Sequence, residues 1–232
     1  MESHIETWLA LLLRWAHFIT GVAWIGASFY FNWLENHLER SEAPGDTEGD
    51  LWAVHGGGFY YLKKFRVAPG QLPPTLHWFK WEAYFTWITG FALLVVIYYL
   101  NARVYLLQSG GSVVTEQLAI VIGLASLAFS WLIYDLLCRS TLSRSNFWLS
   151  AVILAWFVLL AWGLSGLFSG RAAYIHVGAA IGTVMVANVF RVIIPSQKEL
   201  VDAVRENRVP DPSKGQKALQ RSRHNNYFTL PV

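Results

Sequence analysis

TWLALLLRWAHFITGVAWIGASFYFNWL, residues 7–34, decides the fold class of this chain. Its only full charge is Arg14. The apolar residues do not alternate with polar ones, so a strand is a poor reading. The run also exceeds the roughly 20 residues with which a helix crosses about 30 Å of hydrocarbon. Runs of the same character follow at 81–100, 117–137 and 147–168, and a fifth at 172–194 is richer in Gly and Ala. Composition agrees: only 14% of the 232 residues are charged, where about a quarter is usual in a soluble domain. The expectation is an all-α polytopic transmembrane helix bundle with five complete spans. RSRHNNYFTLPV, at 221–232, reads as a polar approach to another apolar segment. It predicts the start of a sixth span, with the sequence truncated there.

The first run lacks a basic leader and a small-residue cleavage site, so it is not a cleaved signal peptide. The single Cys138 excludes an internal disulfide, a c-type haem attachment motif and a Cys-based zinc site within this chain. No internal repeat is visible. The net charge of +3 says little, and no nucleic-acid partner is expected. The placement of the charges says more. With the N-terminal side called A, its loops hold only Arg103 and Arg171. Side B holds Arg40, Lys63, Lys64, Arg66, Arg139 and Arg144, and the tail after Pro195 adds seven more Lys and Arg. The positive-inside rule then puts side B in the cytoplasm and the N-terminus outside.

Polar groups at membrane depth mark protein-facing surface. On a helical wheel Arg14, His17, Gly21, Trp24, Ser28 and Asn32 share one face of the first span. His17 lies roughly 15 Å in from side A, and His176 in the fifth span roughly 6 Å in, at 1.5 Å per residue. Gly178, Ala179, Ala180 and Gly182 keep the neighbouring surface small. Two readings are open for the histidines: hydrogen-bonded bundle residues, or axial ligands of a b-type haem, since imidazole suits iron and an apolar slot suits a porphyrin.

Three polar-aromatic clusters are expected to converge on side B. In LHWFKWEAYFTW (76–87), His77, Lys80, Trp81 and Tyr84 share a helical face, and Glu82 points elsewhere. The bland reading is an interfacial belt of Trp with a snorkelling Lys80. The functional reading makes His77, Lys80 and Glu82 proton-transfer groups of a cytoplasm-facing pocket. HGGGF (55–59) offers His55, Gly56, Gly57 and Gly58, whose backbone N–H groups suit an anion, with Lys63, Lys64 and Arg66 behind. Its null is a turn. A lipase oxyanion hole is rejected because no G-x-S-x-G accompanies it. The 35–75 connection that carries it is read as a long loop, too aromatic for disorder. His224, Asn225 and Asn226 return to the same side.

Taken together, RWAHFITGVAWIGASFYFNWL, LWAVHGGGFYY, LHWFKWEAYFTW, YDLLCRS, FSGRAAYIHVGAAIGTVMVANVF and RSRHNNYFTLP resemble, in matching order, the N-terminal membrane domain of the bacterial membrane-bound, cytochrome c-linked urate oxidases. The W-x-H…W-x-G pattern of the first span is also similar to the first helix of small membrane haem proteins, including the membrane protoporphyrinogen oxidase family. The urate oxidase resemblance implies oxidation of urate to 5-hydroxyisourate in purine breakdown, at the bacterial inner membrane. It also implies electrons passed to a C-terminal c-type cytochrome domain, with its c-type haem, that is absent from this sequence. Urate, the lipid bilayer and that cytochrome domain are the implied partners. The residues that suit a planar purine anion are His55, Gly56, Gly57, Gly58, Trp81, His224, Asn225 and Asn226. Lys80 or Glu82 suits the base, with His77 as a relay, and His17 and His176 suit a haem in the outer half. The competing readings are a b-type haem protein with another substrate and a proton-coupled anion transporter.

Overall fold

The computed structural model describes residues 2–42, 45–108 and 113–232. Five of its helices are long and apolar enough to cross a membrane. α1 spans Glu2–His37 and α2 Trp81–Leu94, the latter extended by a π turn at Val95–Tyr99. α3 spans Glu116–Arg139, α4 Asn146–Ser165 and α5 Gly170–Asn188. A π turn at Val189–Ile193 carries α5 into α6 (Ile194–Arg205), and α7 (Pro212–Phe228) folds back against it.

Helix starts follow the local chemistry. Thr115, Ser145, Ser169 and Asp211 each sit just before a helix, and each side-chain oxygen accepts a backbone N–H of the first turn. The start of α2 differs from the sequence reading. Lys80 is non-helical (φ −142°, ψ −29°), and helical geometry begins at Trp81. His77 and Lys80 therefore do not continue the face of Trp81 and Tyr84, because the wheel was extended across a helix boundary.

α5 is the centre of the bundle. Its small residues Ala172, Ala180 and Val184 are completely buried and let α3, α4 and α2 pack around it. α1 lies at the periphery and rests on α2. Its outer face exposes Leu12, Trp15, Phe18 and Val22, the composition of a lipid-facing surface. On side A, Leu107 pairs with Phe168, and Ser169 N–H donates to Leu106 O at 2.9 Å, tying the α2–α3 connection to the start of α5. Residues 109–112 of that connection lie outside the described residues, as do 43–44 of the 35–75 connection.

The 35–75 connection is not a loop throughout. It folds into an antiparallel sheet of β1 (Glu39–Arg40), β2 (Thr47–His55) and β3 (Gly58–Phe65). Gly56 and Gly57, with φ of 58° and 80°, form the two-residue turn of the β2–β3 hairpin. Left-handed backbone at both positions matches the strand twist, and glycine adopts it without a Cβ clash. Lys64 bonds Glu35 at 2.7 Å and Glu48 at 3.0 Å, and Arg40 pairs with both acids, fixing the sheet to the end of α1. Val232 lies against the glycine face of α5, 4.0 Å and 3.6 Å from where Cβ atoms on Gly178 and Gly182 would stand.

Candidate functional site

A cleft of about 540 Å³ runs between α1 and α5 with α2 as its floor, within the range of ligand pockets. The face predicted on α1 lines it: Arg14, His17, Gly21, Trp24 and Ser28. Opposite stand Arg171, Tyr174, Gly178, Gly182 and Thr183 of α5. Thr86, Trp87, Gly90, Phe91 and Tyr98 form the floor. The Trp87 indole N–H donates to Thr183 Oγ1 at 2.9 Å, and its ring stacks on Phe91 at 5.1 Å. Both interactions hold flat aromatic surface in place.

His17 has one committed nitrogen. Nδ1 lies 3.0 Å from Thr86 O and 3.2 Å from Thr89 Oγ1, so Nδ1–H donates to the backbone carbonyl. Nε2 is left with its lone pair and without a hydrogen-bond partner among the described residues. α2 passes close beneath the ring: a Cβ on Gly90 would lie 2.8 Å from His17 Cε1. His176 is different. It is fully buried, Nδ1 lies 2.8 Å from Ala172 O, and Nε2 accepts from the Tyr99 hydroxyl at 3.1 Å. A Cβ on Gly123 would come within 2.8 Å of that Nε2, so α3 backbone closes the space a ligand would need. Of the two histidines, His17 is the one that could hold a haem iron, since its Nδ1 is engaged and its Nε2 has no hydrogen-bond partner among the described residues. His176 would have to give up the Tyr99 bond and the Gly123 contact to supply another. Among the described residues no cluster of His, Cys, Asp and Glu has metal-binding arrangement.

A second constellation lies at the side B end of α3, α5 and α7. Arg221 is 1% exposed and donates to Asp135 Oδ1 at 2.8 Å, with its guanidinium over the Tyr134 ring. Asp135 also pairs with Arg139 at 2.7 Å. Asn188 Nδ2 donates to Tyr134 Oη (3.0 Å) and to Asn225 Oδ1 (2.9 Å). Tyr134 O–H donates to His224 Nδ1 at 2.7 Å. Burial, reinforced by the Arg221 cation, pushes the His224 imidazole down to about 4, so it stays neutral and accepts that bond. Asn226 Nδ2 donates to Asn32 Oδ1 at 2.8 Å and joins α7 to α1.

The residues expected to converge on side B thus occupy three places. His55–Gly58 form an exposed hairpin turn. Lys64 and Arg66 behind it are engaged, Arg66 with the carbonyls of Gly45 and Ser41. At the start of α2, exposed His77 packs on Phe79, and the Lys80 ammonium sits 5.3 Å from the exposed Trp81 ring. Glu82 is half-buried with no ion pair among the described residues. His224 and Asn225 belong to the buried network. No hydrogen bond or ion pair links the three places among the described residues. Arg171, Tyr98, Tyr134, Asp135, Asn188 and Arg221 were not read as site residues. A lone carboxylate at the end of an apolar run, in YDLLCRS, was the available signal for Asp135.

A comparison with family models matches residues 3–232 to the urate oxidase N-terminal family. No curated protein and no solved structure matches the chain. Because the match runs over nearly the whole chain, it takes in both the cleft and the buried side B network: this chain belongs to the urate oxidase N-terminal family.

Proposed function

We propose that this chain is the membrane-embedded part of an enzyme that oxidises urate to 5-hydroxyisourate and passes the electrons to a c-type cytochrome. The reading rests on the full-length family membership. The cleft supports it, because Trp87, Phe91 and Tyr174 in its lining offer aromatic surface to a purine, and Arg14 and Arg171 suit its negative charge. The basic end, carrying the sheet and the α6–α7 hairpin, faces the cytoplasm of a bacterial inner membrane, and side A faces the periplasm.

Urate and one water give 5-hydroxyisourate, two electrons and two protons, so the site needs a proton acceptor. His77, Lys80 and Glu82 lie outside the cleft lining. We assign the role to His17, which lines the cleft, whose Nε2 has no hydrogen-bond partner among the described residues and whose Nδ1–H is oriented by Thr86 O. The test is urate loss in membranes carrying the chain with a c-type cytochrome added. Loss above that of membranes lacking the chain is expected, and loss equal to theirs, with the chain present and inserted, refutes the reading.

One observation favours a second reading. An imidazole with Nδ1–H on a backbone carbonyl and a free Nε2 is the arrangement of a metal-ligating histidine. A b-type haem held there would supply one-electron relay. A reduced-minus-oxidised band lost in His17→Ala and kept in His176→Gln supports that reading, and the absence of any band removes it.

A further inference from the structure

We propose that the β2–β3 hairpin is a membrane anchor: the face made by Trp52, Val54, Phe59 and Tyr61 beds into the lipid headgroup layer at side B, where Lys63 and Arg66 meet anionic phosphates.

The register places Trp52 opposite Tyr61 and Val54 opposite Phe59, and residues opposite one another on antiparallel strands project from the same face. All four are between 50% and 79% exposed. The Trp52 and Tyr61 rings lie 4.9 Å apart, and the Tyr61 hydroxyl donates to Asp50 Oδ2 at 2.5 Å. The patch is therefore contiguous, apolar across its width and polar at one edge, the character of side chains at a membrane–water boundary. An exposed apolar patch of this kind marks an interaction surface. β1 pairs only with Gly49 and Asp50, and among the described residues no hydrogen bond, ion pair or ring contact joins 51–62 to a helix. A ribbon of two strands is marginal by itself in water, so a cover for this face also stabilises the hairpin.

Three observations select lipid as the cover. The ion pairs of Lys64 and Arg40 with Glu35 root the hairpin at the end of a membrane-spanning helix, and so at the boundary itself. Exposed Trp33, Phe79 and Trp81, at the same ends of α1 and α2, continue the aromatic composition of the face. Lys63 stands on that face without an ion pair, and Arg66 bonds only backbone carbonyls, so both cations are free among the described residues to meet an anionic surface. A second copy added along the open edge of β3 would pair backbone and leave the face as bare as before.

The test uses the full chain in nanodiscs of phosphatidylcholine and phosphatidylglycerol. Cys138→Ala removes the native thiol, and the fluorophore NBD is attached at Val54→Cys, at Phe59→Cys or, on the opposite face, at Tyr60→Cys. Labels at positions 54 and 59 are expected to emit to the blue of the label at 60, to resist aqueous iodide better, and to be quenched by lipids brominated high on their chains. Lys63→Gln should shift the ratio of anchored to free hairpin about five-fold towards free, the effect of one surface cation, and discs without phosphatidylglycerol should shift it the same way. Labels at 54 and 59 that are as open to iodide as the label at 60 overturn the anchor. Protection from iodide without quenching by brominated lipid overturns it in favour of a protein surface. Quenching that ignores both Lys63→Gln and phosphatidylglycerol overturns the phosphate contact.

Discussion

Replacing Asp135 with Ala strands Arg221 inside the bundle. Arg221 is 1% exposed, and its strongest bond is the 2.8 Å contact with Asp135. What remains is a 3.4 Å contact with Asn188 Oδ1 and the Tyr134 ring at 5.0 Å, while Nε already lacks a partner. Removing one partner of a buried pair costs about 3–5 kcal/mol, because the other charge stays buried and uncompensated. Arg139 also loses Asp135, but its side chain is 62% exposed, so that loss adds less than about 1 kcal/mol. At about 2–4 °C per kcal/mol for a chain of this size, the melting temperature falls by roughly 10 °C. The assay is thermal unfolding in detergent followed by intrinsic fluorescence. The control is Asp135→Leu combined with Arg221→Met, which removes both charges and should recover most of the loss. A single variant within about 1 kcal/mol of wild type, or a double variant as unstable as the sum of its singles, refutes the reasoning.

Gly123→Ala places a Cβ within 2.7 Å of the Tyr99 hydroxyl and 2.8 Å of His176 Nε2, both in the closed interior, and should cost about 1–3 kcal/mol by overpacking in the same melting assay. Gly57→Val forces a β-branched residue to φ 80° and should destabilise the hairpin by about 1–2 kcal/mol, seen as faster proteolysis within 52–61 with unchanged urate affinity. The His224 imidazole is held at about 4 in the folded chain, below its ordinary value of 6.5, so between those limits the unfolded chain binds more protons. Its contribution is therefore intact above pH 6.5 and is lost as the pH falls towards 4. The loss is about 1–2 kcal/mol after allowance for partial solvent screening, and His224→Phe should flatten that part of the stability profile.

The spans were legible because twenty apolar residues have few alternatives, and the α1 wheel already held the cleft wall from Arg14 to Ser28. The sheet was legible in principle. Trp52 and Val54 face Tyr61 and Phe59 across a Gly-Gly turn, an alternating pattern with a two-residue loop. Reading the glycines as an anion nest obscured it. The pairing of Asp135 with Arg221 spans 86 residues and depends on how α7 folds back, which no local pattern encodes. The same is true of His176: its sequence neighbours resemble a haem slot, yet its Tyr99 partner comes from a π turn on another helix.

The central claim is tested most directly by the stoichiometry of the reaction. Membranes carrying the chain are incubated with urate and an oxidised c-type cytochrome in the absence of oxygen. The expected result is one urate consumed for every two cytochromes reduced. Urate loss only when oxygen is admitted, or cytochrome reduction that does not depend on urate, contradicts it.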